Sequence, residues 1–375
     1  MGRQTLNSLV WGNYTKWEVY PARESFAQFS QEWERINRSL HDHILLDSSF
    51  VSALIDSFAS SRTLLAVARD SNKPGLVLIE RGAKGFWHTF QPSQSPLGLI
   101  LLPSTSPPLA YLDGLLQSLP GLPLGVSVLQ QDPEFSPLAG ISETNRIETI
   151  KYIETAQLQL KGTFQDYLMK FGDGIESTHN LNKRCRRLKK NGVTWELHSE
   201  RNESKIEEWV REHGFLESMG WKGKEGTNIN AENDQGKFYA KVLHGFAARG
   251  EAVAYQLRFN GEVAASQLAL CRNGMMVFLK TAYDEKFKEY SPGFLMQIEI
   301  VKQIFSEQQI HRVEFYGRVR NWHAKWTDSV RSIFHLNLYR YPVLKSLRRL
   351  LKQWNEGSAL VSPGSEMADK ASGIV

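Results

Sequence analysis

The chain has 375 residues, enough for two or three domains that each bury a core. Its 45 Lys and Arg against 40 Asp and Glu leave a formal charge of +5, a mildly basic balance that suits an anionic ligand without naming one. No apolar run approaches the roughly 18 residues of a membrane span, and residues 1–20 lack the apolar core of a secretory signal, so the cytoplasm is the expected compartment. Cys185 and Cys271 lie far apart, and His41-Asp42-His43 has no further ligands at a metal-binding spacing, so neither a disulfide framework nor a metal site is expected.

In chain order, helical patterns over 24–36 and 48–59 precede a hairpin over 63–80, with the breakers of 70–75 at its turn. Strands follow at 85–91 and 97–103, then a helix over 107–119 and a strand over 122–130. The Pro, Ser and Gly of 132–142 read as a connection between lobes. The second half repeats the order. Helices over 203–218 and 237–249, the latter closed by Gly250, lead into three strand-like runs between 251 and 283. Asn260-Gly261 and Asn273-Gly274 join those runs, and Asn-Gly is the pair that a type I′ hairpin turn demands. A helix from Ser291-Pro292-Gly293, short strand 312–316 and last strand 332–341 complete the half. Residues 342–354 form an amphipathic helix with Leu344, Leu347 and Leu351 on one face, and the polar stretch from Asn355 reads as a disordered tail.

Ser291-Pro292-Gly293 is the most informative turn. Helix starts leave N–H groups without intrahelical partners, and with the dipole these attract anions. Ser291 suits the N-cap and Pro292 the first helical position. Gly293 is anomalous, since glycine costs a helix about 1 kcal/mol relative to alanine. Its presence suggests close approach to the backbone, with a pyrophosphate as guest; the alternative is a plain cap with a tolerated glycine.

The wider spacing Lys288-x-x-Ser291-x-Gly293 resembles the Arg/Gln-x-x-Gly-x-Gly/Ala loop by which GNAT-superfamily acyltransferases hold the pyrophosphate of coenzyme A. Lys replaces Arg/Gln and Ser replaces the first Gly. YDEKFKEYSPG (283–293), VEFYG (313–317) and the aromatic-basic segment ending Lys325-Trp326 look like the CelD-type acyltransferases, relatives of the Fem aminoacyl transferases within GNAT. ESMGWKGKEGT (217–227) and NKRCRRLKKNG (182–192) are similar to that pattern. Motifs carry the resemblance over 155–340; over 20–150 it rests on element order.

The resemblance implies an α+β fold of tandem GNAT-like lobes, each a mostly antiparallel sheet flanked by helices: 1–150, then 151–354 as the acyltransferase lobe, with 355–375 as tail. It implies acetyl-CoA or another acyl-CoA as donor, no metal, and an amine on a small molecule or saccharide precursor as acceptor. The pantetheine arm would lie along Phe278, Leu279, Lys280, Thr281, Ala282 and Tyr283, with Lys288, Ser291, Pro292, Gly293 and Phe294 at the phosphates. Glu314, Tyr316 and His323 are candidates for proton transfer. Each has a structural alternative: Glu314 paired with an arginine, Tyr316 at a rim, His323 capping a helix. Trp221 and Lys222, between two glycines, and Lys325 and Trp326 are candidates for substrate contact, with Trp221 as a core wedge the alternative.

Six cations in the eight positions 183–190 read either as a solvated helix end or as a polyanion contact. The second reading keeps open an aminoacyl-tRNA donor, as the Fem relatives use. A third reading is a binding module without chemistry. Oligomeric state is not legible.

Overall fold

The computed structural model describes residues 15–69, 74–103, 107–171, 178–219, 229–230, 232–348 and 350. The first half runs β1 (Trp17–Pro21), α1 (Ala22–Leu40), α2 (Ser48–Phe58), β2 (Thr63–Ala68), β3 (Leu76–Arg81), β4 (Phe86–Thr89), β5 (Ile100–Leu101), α3 (Pro108–Ser118) and β6 (Gly125–Gln131). Then come β7 (Ile147–Gln159), α4 (Phe164–Phe171), α5 (Thr178–Lys190), β8 (Trp195–Glu200), α6 (Glu203–Met219) and α7 (Asp234–Ala247). Strands β9 (Ala252–Phe259), β10 (Glu262–Arg272) and β11 (Met275–Tyr283) lead to α8 (Pro292–Glu307), β12 (Arg312–Glu314) and β13 (Val330–Tyr339). Residues 342–348 form a last helix, α9.

The described residues divide into two compact units, one holding those up to Tyr152 and those from Phe334 onward, the other those of Ile153–Ile333. In the first unit the sheet order is β1-β2-β3-β4-β6-β13, with β5 beside β3. Every neighbouring pair is antiparallel except β4 with β6. Its core joins Trp17, Trp87, Tyr111, Leu112 and Leu115 to Leu336 and Leu338. In the second unit the order is β7-β12-β11-β10-β9-β8, antiparallel except β11 with β12. Both are mixed α+β arrangements with mostly antiparallel sheets. Among the described residues no helix is long and apolar enough to cross a membrane.

The Asn-Gly turns form as the residue types require. Asn260 and Gly261 have φ of 50° and 84°, Asn273 and Gly274 of 49° and 76°, the two positive values of a type I′ hairpin. Two features depart from the sequence reading. Residues 147–159 form a strand where none was expected, because Glu148, Lys151 and Glu154 dilute its apolar alternation. Strand β13, read as the end of the second half, pairs with β6 in the first unit instead, where its alternating Phe334, Leu336 and Leu338 enter the core. Residues from 351 onward, including the expected tail, lie outside the described residues.

Candidate functional site

The second unit gathers the unusual geometry at the end of β11. In the pairing with β10, Leu268 faces Lys280 and Ala269 faces Phe278, so Leu279 is an extra residue in a β-bulge. On the other side β12 pairs only with Met275, Met276 and Val277. From Phe278 to Tyr283 that edge meets no strand among the described residues, and a strand edge offers backbone N–H and C=O groups to a partner. Ala282 is buried, and Phe278, Leu279, Lys280, Thr281 and Tyr283 are half-buried. The opposite edge is tied down. The Gln267 amide donates to the Lys280 carbonyl at 2.9 Å, and Thr281 Oγ1 donates to Gln267 Oε1 at 2.5 Å. Lys280 Nζ lies 5.5 Å from the Tyr239 ring centroid, on α7.

Helix α8 starts beside that edge. Asp284 caps a 3₁₀ turn over Glu285–Tyr290 by accepting from the Lys286 N–H at 3.0 Å. Ser291 follows in the left-handed region, φ 52° and ψ 60°, and its side chain makes no capping bond. It occupies the cap position without the role expected of its hydroxyl. Pro292 opens the helix, and the first intrahelical bond runs from the Leu295 N–H to the Ser291 carbonyl, 3.1 Å. A side chain at Gly293 would meet only Tyr283 Cδ1, at 3.9 Å, and no positive φ calls for glycine there. The space where its side chain would stand is open. Lys288 is exposed, and Phe294 packs on Trp326 with ring centroids 5.3 Å apart.

The basic helix α5 is anchored to this turn. Arg187 pairs with Glu289 and lies over the Tyr290 ring at 5.7 Å, and the Asn191 amide donates to the Tyr290 hydroxyl at 2.9 Å. Leu188 is fully buried, whereas Lys183, Arg186, Lys189 and Lys190 are exposed with no acidic partner among the described residues.

The proton-transfer candidates differ sharply in environment. Glu314 is fully buried, with one oxygen on the Arg312 guanidinium and the other 2.9 Å from Arg331 Nη2. Burial pushes its carboxyl up and the two arginines oppose that shift. Both oxygens are engaged, the alternative anticipated for this residue. Tyr316, at φ 48°, stacks under Arg331, whose guanidinium carbon is 5.4 Å from the ring centroid. His323 is buried against Trp322 (3.6 Å) and Phe315 (5.1 Å), and its Nδ1 accepts the Arg320 N–H at 2.9 Å. Burial lowers its pKa to about 4, so the ring is neutral at pH 7 with its proton on Nε2. That leaves a hydrogen-bond donor, not a base.

Trp326 is 1% exposed inside the core, and its carbonyl accepts the Tyr167 hydroxyl at 2.8 Å; it packs rather than contacting substrate. Lys325, in the adjoining 3₁₀ turn, is half-buried. Trp221 and Lys222 lie outside the described residues, but the flanks of their loop are joined. The buried Glu217 carboxylate accepts the Ile229 N–H at 2.9 Å. Among the described residues no three His, Cys, Asp or Glu form a group able to hold a metal. Sequence reading missed Arg331 and Gln267. The signal for Arg331 was a cation on the inward face of an alternating strand, which requires a buried partner.

Residues 177–324 match the family model described as an acetyltransferase (GNAT) domain. No curated protein matches the chain. Among solved structures, the C-terminal domain of a protein assigned as a lysylphosphatidylglycerol synthetase from Agrobacterium fabrum aligns at 13% identity and TM-score 0.50, over 84% of this chain and 92% of that one. L-PGS from Bacillus licheniformis aligns at 14% identity and TM-score 0.50, over 83% and 91%. FemX aligns at 11% identity and TM-score 0.49, over 85% and 98%. At such identities the structural likeness is one of fold alone. The matched segment spans α5 to the 3₁₀ turn at His323 and encloses the bulged strand and the helix start, so residues 177–324 are the part of the chain that resembles a GNAT acetyltransferase domain.

Proposed function

We propose that the protein is a cytoplasmic, acyl-CoA-dependent N-acyltransferase of the CelD-like branch, moving an acyl group, acetyl first among them, to an amine on a small molecule or saccharide or envelope precursor. The observation that carries the reading is Gly293. Neither backbone conformation nor crowding selects glycine there, yet it stands in the first turn of a helix, beside an unpaired strand edge. A diphosphate against the Gly293 amide, with the pantetheine arm running along Phe278–Tyr283, accounts for both features. Lys288 is exposed within the same turn and supplies a cation.

The reaction is direct attack. The amine nitrogen adds to the thioester carbonyl, the C–N bond forms, the C–S bond breaks and sulfur leaves as thiolate, while the nitrogen loses a proton. A backbone N–H on the open edge of β11 polarises the carbonyl. Tyr316 is the candidate to protonate the thiolate, with Glu314 and Arg331 holding its ring. His323 serves as a neutral donor rather than a base.

A thermal-shift titration with acetyl-CoA and longer acyl-CoA species tests the reading. Ligand at a hundred times its Kd adds about 2.7 kcal/mol of stability. No shift with any acyl-CoA refutes it.

The exposed cations of α5 favour a second reading, an aminoacyl-tRNA donor. It predicts retention of charged tRNA on a filter, weakening steeply between low and moderate salt.

A further inference from the structure

Helix α9 is oriented opposite to an ordinary surface helix. Its lysine, Lys345, faces the protein. Lys345, 6% exposed, donates to the Thr144 carbonyl at 2.7 Å and pairs with Glu143 at 3.4 Å. Arg348 lies over the Phe86 and Tyr339 rings at 5.6 and 6.0 Å. Its apolar side faces solvent instead: Val343 is 58%, Leu347 48% and Leu350 62% exposed, a spacing that puts all three on one face. Tyr341, at 56%, leads into that face.

Near the start of this ridge is a further exposed leucine. Leu122, 81% exposed, sits at the tip of Pro120-Gly121-Leu122-Pro123. The segment before α9 holds that tip, with the Arg340 N–H on the Leu124 carbonyl at 2.8 Å and its guanidinium 3.3 Å from the Pro123 carbonyl. On the other side the Leu124 N–H donates to the Gly85 carbonyl at 2.8 Å, which brings the exposed Lys84 alongside. Exposed Leu122 thus lies near the lead into α9, with Lys84, Arg340 and Arg348 close by.

We infer that this surface of the first unit docks on an anionic lipid membrane, with α9 lying in the interface plane. Exposed leucines and an aromatic enter the boundary between headgroups and acyl chains, while the nearby cations meet lipid phosphates. A second copy of the chain fits less well, since a two-fold contact would set these cations against themselves. The residues after 354 are rich in Ser, Gly, Ala and charge and offer little apolar area to cover the ridge. The inference stands apart from the acyl-transfer reading, because its readout is lipid binding.

The test is co-sedimentation of the full chain with phosphatidylcholine vesicles and with vesicles containing about one third phosphatidylglycerol. The expected result is binding to the anionic vesicles, weakened by salt, that falls at least about tenfold in the Leu347→Asp/Leu350→Asp variant. Both side chains are exposed, so the variant should melt within about 2 °C of the parent and keep its acyl-CoA response. Four results overturn the inference: no binding to either vesicle, binding that the double variant retains, a parent dimer that the variant turns into a monomer, or binding that appears only after residues 355–375 are removed. The third would assign the ridge to a second copy and the fourth to the chain's own tail.

Discussion

Each unit contains a strand, a helix and a second strand parallel to the first: β4-α3-β6 in one, β11-α8-β12 in the other. Each helix also holds a glycine, and the two glycines have opposite explanations. In α3, a Cβ on Gly114 would sit 2.1 Å from the Thr15 carbonyl oxygen, so the protein's own backbone excludes a side chain. In α8, a Cβ on Gly293 would touch nothing closer than 3.9 Å. Packing accounts for the first glycine and leaves the second without an internal cause. The helix starts differ too, since α3 opens on Pro107 at φ −59° and α8 on Ser291 at φ 52°. A repeated order of elements therefore carries an open glycine at the helix start in one copy only, which is why fold likeness alone does not locate a site. The first unit does contain a cavity, lined by Asn37, His41, Gln131 and Phe135 among others, but at about 30 Å³ it holds a water or two and no coenzyme.

Exchanging causes between the glycines gives the largest effects. Gly114→Ala should cost about 3 kcal/mol, because the Thr15 strand entry must move aside, and acyl-CoA response per folded molecule should not change. Gly293→Leu should do the reverse. Leucine is the better helix former by about 0.8 kcal/mol, so stability holds or rises, while donor affinity falls about a hundredfold as the side chain fills the open space. Urea titration of each variant with and without acetyl-CoA measures both quantities. A Gly293→Leu protein that binds normally would remove the basis of the donor site.

How much of this was legible depended on the range of the causes. The Asn-Gly hairpins and the Pro292 start could be read because the backbone preferences of those residues act locally. The anomaly at Gly293 was legible for the same reason, as a cost without an evident return. Three features rest on residues distant in sequence and were not legible. Glu314 meets Arg331 only because β12 and the start of β13 come together, and a lone carboxylate in Arg-Val-Glu does not disclose that both oxygens are taken. The placement of β13 beside β6 joins residues about two hundred positions apart, which no periodicity encodes. Trp326 looked like a platform for substrate; an aromatic after a lysine carries the same signal whether it faces a pocket or, as here, the core.

A smaller effect compares two histidines, one buried and one half-buried. His323 in the second unit and His335 in the first each accept a backbone N–H on Nδ1, from Arg320 at 2.9 Å and Gln130 at 2.8 Å, and burial lowers both pKa values. A histidine whose folded pKa is lowered gives stability that is fully present above the ordinary value of about 6.5 and is lost as pH falls through the folded value. For His323 that value is about 4, so stability should decline between pH 6.5 and 4. Allowing for solvent screening, the loss should be about 2 kcal/mol. His323→Gln, which can still accept the N–H, should flatten most of that slope, and His335→Gln less of it. Denaturant midpoints across the pH range would show this, and an unchanged slope in His323→Gln would mean that other groups govern acid sensitivity.

The smallest effect bears on Ser291 itself. A non-glycine residue in the left-handed region is destabilised by about 1 kcal/mol or more, and the related loops have glycine at the matching position. The strain has no local compensation from the side chain, whose hydroxyl makes no capping bond. Ser291→Gly should relieve it, offset in part by the freer unfolded chain, for a net gain of about 0.5–1 kcal/mol. The gain should appear as a higher urea midpoint with an unchanged slope. Donor affinity should stay within about twofold, since the amides that follow are backbone groups and the substitution leaves their direction alone. The equivalent change at the α3 start, Pro107→Gly, should instead lose stability, because proline there holds a conformation that glycine leaves free. Opposite signs at two matching helix starts would tie the left-handed turn to the unit with the open glycine. A loss at both would mean that the Ser291 conformation is held by its neighbours at no cost, and that the turn is a cap rather than a cradle.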